Sequence, residues 1–214
     1  MLPVDSKFEA TMRSALLLTL YFAVLFSSIA RSEDRVTILV RGESLSPAVL
    51  RVAESEVNTV LTPIGVSLRW RFGHDLDGRS VHGQLVLIYL RGQCRADAPV
   101  MEKAHLSLTL GRTHISEGQV LPIADVLCNA VHEFIDRDLR AASAADRDKL
   151  FGRALGRVTV HELYHILLKT TDHSHSGLAR YEQSTSELLS PHNSFSEADR
   201  HRISQLALVS DGGN

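Results

Sequence analysis

His161-Glu162-Leu163-Tyr164-His165 sets two imidazoles four residues apart, with a glutamate directly after the first. On a helix, positions i and i+4 stack on one face, so both rings can reach a single metal ion. Glu162 then projects beside the ion rather than into its coordination shell. That is where a general base is needed to take a proton from an activated water. Five residues thus supply two ligands and a base, the working parts of a metal-assisted hydrolysis. The same pattern also arises by chance on surface helices, and this chain carries 11 histidines. The setting of the motif therefore decides.

Ala144 to Lys169 contains no proline and is rich in Ala, Leu, Arg and Lys, residues that favour helix. Asp146 and Asp148 lie near its expected start, as the helix dipole prefers. Leu150, Phe151, Leu155, Val158, Val160, Leu163, Ile166 and Leu167 make it apolar on most sides, as a buried helix is. Two buried histidines and a buried glutamate are costly without partners, and a metal removes that cost. Zinc is the expected ion. Tyr164 falls at a variable position of the motif and is expected to pack.

A catalytic zinc usually has three protein ligands and one open position. Lys169-Thr170-Thr171-Asp172 is poor in helix formers and can turn the chain back towards the metal. His173 follows that turn directly, eight residues after His165, and is the first choice for the third ligand. His175, Asp172, Glu182 and Glu187 are the alternatives. Tyr181, just past the loop, could donate to a developing oxyanion, although a surface tyrosine is the simpler reading.

His161 to Arg180 resembles the metzincin clan of zinc peptidases, whose motif is H-E-x-x-H-x-x-G-x-x-H followed by a methionine-containing turn. It is similar without a gap to a longer bacterial form, H-E-x-x-H-L-L-L-x-x-x-x-H-S-x-x-G-x-M-R, through His161-Glu162, His165-Ile166-Leu167-Leu168, His173-Ser174, Gly177 and Arg180. The clan's glycine is absent, and His173 comes two residues later than the clan pattern places it. Ala179 stands where the longer form has methionine. The resemblance implies that His161, His165 and His173 bind zinc and that Glu162 is the catalytic base. It also implies a twisted, mostly parallel sheet packed on helices, with an edge strand from the Leu106 to Cys128 region that lies antiparallel to bound peptide.

The chain has 214 residues, a hydrophobic share of 44% and a net charge of −2. These values predict one domain with a sizeable core, and argue against nucleic acid or an anionic membrane as the main partner. Lys7 and Arg13 precede an apolar run from Ala15 to Phe26, then Ser27-Ser28-Ile29-Ala30. This reads as a secretory signal over residues 1–30, cleaved after Ala30, with a single peptidase domain over residues 31–214. The alternative is an uncleaved anchor. The mature protein is then expected in the periplasm or the medium, as a monomer acting on peptide or protein. In that compartment Cys94 and Cys128 can form a disulfide, and two buried free thiols fit the sequence as well.

The elements that must position the motif follow from periodicity. Arg35 to Arg41 predicts a strand, and Ser44 to Leu61 a helix with Ser46 as cap and Pro47 as first residue. Val66 to Phe72 and Gln84 to Leu90 predict strands, with Gly73 to Arg79 a turn between them. Further strands are expected at His105 to Leu110 and Gln119 to Cys128, with a turn at Ser116-Glu117-Gly118. Asn129 to Ala142 predicts a helix, the motif helix follows, and Ser196 to Leu208 predicts the last one. The fold class expected is α+β, α/β-like in its layers: a twisted mixed sheet of about five strands on helices, zincin-like. Competing functional readings are a gluzincin-like peptidase with a carboxylate as third ligand, a secreted domain with a non-catalytic metal site, and a coincidental motif. A structural metal site has no need of Glu162, which favours the enzyme.

Overall fold

A computed structural model describes residues 35–73, 83–99 and 109–209. The expected signal, residues 1–30, lies outside the described residues, as do His74, His82 and His105 and most of the expected turn at Gly73 to Arg79. No helix among the described residues is long and apolar enough to cross a membrane.

The described residues form a five-stranded sheet. Its strands are β1 (Arg35–Arg41), β3 (Ser67–Phe72), β4 (Leu85–Arg91), β6 (Gly111–Ser116) and β7 (Gln119–Leu127), in the order β3-β1-β4-β7-β6. The first four in that order run parallel, and β6 runs antiparallel to β7 at one edge. The expected mixed sheet on helices is therefore present. Two further short strands, β2 (Ser44–Leu45) and β5 (Gln93–Cys94), pair with each other.

One face of the sheet carries Ile38, Val40, Val86, Ile88, Ala124 and Val126, all buried. Against it pack α1 (Pro47–Leu61) and α4 (Ala144–Leu168), the motif helix. Ser46 caps α1 by accepting from the Val49 N–H, and Pro47 begins the helix, as expected. Ser143 caps α4 by accepting from the Asp146 N–H. Gly152 and Gly156 bring the two helices into backbone contact. A Cβ on Gly152 would lie 2.7 Å from the Val49 carbonyl oxygen, and one on Gly156 2.8 Å from that of Ala53. The ion pairs of Glu56 with Arg153 (2.8 Å) and Arg157 (3.3 Å) join the same helices. The motif helix is thus held on α1 and under the sheet, with its histidine end towards β6 and β7.

One strand is additional to the expected elements and one expected helix is corrected. Gly111–Ser116 pairs with β7, and most of the strand expected at His105 to Leu110 lies outside the described residues. Gly111, Arg112, Thr113 and His114 serve separate partners on the two faces of β6, so the strand lacks an apolar alternation. The expected helix at Asn129 to Ala142 is two helices, α2 (Cys128–Phe134) and α3 (Asp136–Ala141). Ile135 leaves helical angles between them, and Val131, Ile135 and Leu139 all stay buried across the break. A short helix, α5 (Thr185–Leu189), and the final α6 (Glu197–Val209) complete the chain.

Cys94 and Cys128 form a disulfide with Cα atoms 5.1 Å apart, joining β5 to the first residue of α2. Closing a loop of that length stabilises a fold by about 3–4 kcal/mol in the chain-entropy account.

Candidate metal centre

His161 and His165 lie one turn apart near the C-terminal end of α4, and their side chains point the same way. His161 Nδ1 donates to the Leu178 carbonyl at 2.8 Å, and His165 Nδ1 to the Thr170 carbonyl at 2.9 Å. A neutral imidazole has one N–H, so these bonds fix the tautomers and leave a lone pair on each Nε2. The two Nε2 atoms face each other across 3.2 Å. Two lone pairs at that distance repel unless a cation lies between them. Tetrahedral zinc with Zn–N bonds of ~2.0–2.1 Å separates its nitrogens by roughly 3.3 Å, so the pair already has the spacing of two ligands. Protonation is not the remedy. Burial pushes His161 down to about 4, and burial also lowers His165 and His173, so the rings stay neutral and able to bind metal.

The third nitrogen comes from His173. Its ring centroid lies 5.2 Å from that of His161 and 4.7 Å from that of His165. The ligating atoms of the three histidines all fall within 4.8 Å of one another, and among the described residues no other group of three could hold a metal. The chain reaches this point through Lys169, which adopts a left-handed conformation (φ 49°) and ends the helix. The N–H of Lys169 bonds back to the last turn of α4.

The alternative ligands are elsewhere. Glu187 Oε2 closes a capping box with Ser184 and pairs with Arg180 at 2.7 Å. Asp172, His175 and Glu182 are exposed and outside the cluster. Tyr181 is 76% exposed rather than packed, and its ring meets the edge of His173 at 5.0 Å. Tyr164 is fully buried, as expected.

Glu162 is 4% exposed. Burial pushes its carboxyl up to about 7, against the pull of the Thr113 hydroxyl, which donates to Glu162 Oε2 at 2.7 Å. β6 can come this close only because of Gly111. A Cβ there would lie 2.6 Å from Glu162 Oε1. The centre opens into a cleft of about 560 Å³ running between β6 and the segment Arg180 to Gln183.

Several supporting groups escaped the sequence reading. The Leu178 and Thr170 carbonyls have no side-chain signature. Thr113 lies on β6, a strand without the alternation that marks one in sequence. Ser174, next to His173, donates its hydroxyl to Asp199 Oδ1 at 2.7 Å, and Asp199 is buried at the start of α6. Asp199 near the start of a helix was legible, but its second task, holding the His173 loop, was not. Leu178 and Ala179 are fully buried.

The three histidines can therefore hold a metal ion beside a buried carboxyl poised to exchange a proton near neutral pH. No family model matches the chain, and neither a curated protein nor a solved structure matches it.

Proposed function

We propose that this chain is a zinc-dependent, metzincin-like peptidase, with His161, His165 and His173 as metal ligands and Glu162 as the general base. The observation that carries the reading is the pair of neutral imidazoles whose lone pairs converge across 3.2 Å beside a carboxyl raised to about 7. Three neutral nitrogen donors in a compact group suit tetrahedral zinc. When bound, the zinc supplies a Lewis acid that polarises the scissile carbonyl and acidifies a water.

The chain's own residues do the rest. Leu178 and Thr170 hold the imidazoles in the binding tautomer. Thr113 fixes one oxygen of Glu162, which leaves Oε1 to take a proton and return it to the leaving amine. A pKa near 7 suits a group that must both accept and donate. β6 is the sheet edge over the site, so its outer backbone groups are available to an extended peptide laid alongside. The cleft walls exclude water around the reacting bond. Exported action, after removal of residues 1–30, accords with the Cys94–Cys128 disulfide, which persists in oxidising compartments.

Metal analysis of the purified protein after zinc addition tests the first half of the proposal. About one zinc per chain is expected, and none would end it. Cleavage of a broad peptide library by the wild type, lost in Glu162→Gln with zinc retained, tests the second.

A further inference from the structure

β6 has two sides, and only one of them faces the metal centre. Gly111 and Thr113 lie against Glu162, and Ile115 borders the cleft with them. Arg112 and His114 alternate with these residues and turn to the opposite face of the sheet, where both bond to Asp125. That face is strongly basic. Strand register puts Arg41, Arg69, Arg71, Arg91 and Arg112 on it. Asp125 is the only acid among the residues of the five strands, and it is fully buried. Arg112 stands at the outer edge of this positive field, because β6 is the edge strand among the described residues. Its side chain is 64% exposed, and its Nε donates to Asp125 at 3.0 Å. Its two terminal nitrogens have no partner among the described residues. A peptide added to the outer edge of β6 becomes the next strand, and its side chains alternate between the same two faces. The residue opposite Thr113 projects into the cleft. The residue opposite Arg112 projects onto the basic face, where directly opposite side chains have Cβ atoms ~4.5–5.5 Å apart. A carboxylate there pairs with the terminal nitrogens of Arg112, and an ammonium group meets repulsion.

We propose that Arg112 selects peptides with an acidic side chain at the position directly opposite it, on the face of the sheet away from the metal. This rests on the peptidase reading, which lays the peptide along β6. Arg112 is here a specificity-determining residue and takes no part in bond breaking. Because the pair forms at an exposed edge, the selection is modest: about two- to fivefold for the acid over its neutral amide.

The test uses the full zinc-loaded chain and one peptide that it cleaves. Each of the four residues on either side of the cut is replaced in turn by glutamate, glutamine and lysine, and kcat/KM is measured for every peptide. At one position glutamate is expected to exceed glutamine by about two- to fivefold, and glutamine to exceed lysine. Raising salt from ~0.01 M to ~1 M shortens the Debye length from ~30 Å to ~3 Å and should flatten that ranking. Arg112→Gln, checked for folding by its melting temperature and for zinc content, should erase the ranking at that position. Arg112→Lys, which keeps the charge, should retain most of it. Equal cleavage of the glutamate and glutamine peptides at every position overturns the assignment while leaving the peptidase reading standing. So does a preference that survives in folded, zinc-loaded Arg112→Gln, or one that this variant loses at two adjacent positions, which strand alternation forbids. If no peptide is cleaved, the peptidase reading falls and the selection with it. The ranking in the wild type and its response to salt decide the matter even if the variants fail to fold.

Discussion

Two buried carboxylates sit on opposite sides of one edge strand, and their surroundings drive them in opposite directions. Thr113, in the middle of β6, points to the helical face and meets Glu162. Its neighbours Arg112 and His114 point to the other face and meet Asp125 of β7 at 3.0 Å each. Arg91 of β4 adds a third bond to Asp125 at 2.7 Å. Both acids are almost wholly removed from water. Burial pushes both up, but at Asp125 the bonds from Arg91, Arg112 and His114 outweigh it and hold the carboxyl below its ordinary value. At Glu162 only Thr113 opposes burial, through its hydroxyl and its backbone, and the carboxyl rises to about 7. Burial alone thus does not raise a carboxyl. A buried carboxyl left short of partners rises, and its charge state stays close to balance near neutral pH, which is what a candidate for proton transfer needs.

The strongest way to break this contrast is to neutralise each acid in turn. Glu162→Gln is expected to lower peptide cleavage by about 10²–10⁴-fold, as loss of a general base does, with zinc content unchanged. Cleavage that survives would place the base elsewhere.

Stability should respond in the opposite sense. The carboxyl of Glu162 is harder to ionise in the folded protein than in the unfolded chain. Its burial therefore costs nothing below about pH 4.5, and the cost grows until about pH 7. In the metal-free protein, Glu162→Gln should raise the unfolding free energy by about 2–3 kcal/mol above pH 7 and by little at pH 4. Urea titrations at the two pH values read this directly, and an equal effect at both would refute it.

Asp125→Asn should do the reverse, destabilising the fold by about 1–3 kcal/mol at pH 7 without changing zinc content. Asp125 is depressed in the folded state, so its contribution is present above the ordinary aspartate range and is lost as pH falls below it. The variant and the wild type should therefore converge in strong acid. A difference that persists there would assign the effect to packing.

The mildest change, Thr113→Val, removes the side-chain bond that holds Glu162 down and keeps the backbone one. The carboxyl should rise further, and the acid limb of the rate profile should move to higher pH, with about tenfold slower cleavage near pH 7. An unmoved limb would mean that Thr113 only fills space.

Residues that belong to a local pattern were legible from the sequence. The motif helix, its start near Asp146, the cap at Ser46 and Pro47, and the three histidines all rest on local spacing, and local spacing is what a sequence records. The remainder depended on meetings between distant segments. Thr113 reaches Glu162 across 49 positions, and Ser174 reaches Asp199 across 25. The carbonyls of Leu178 and Thr170 belong to the backbone and have no residue type to betray them. β6 was missed for a related reason. A strand that serves polar partners on both faces carries no hydrophobic alternation, which is the signal that would have located it.

The Cys94–Cys128 bond has a consequence for how the chain withstands a break in its backbone. It closes a ring of chain that contains β6, β7 and the Glu117-Gly118 turn between them. Exposed turns are where chains are nicked. A single cut within the ring leaves the protein in one covalent piece. The nicked chain keeps Gly111 and Thr113 tethered to the rest of the fold, and its fragments separate on a gel only after reduction.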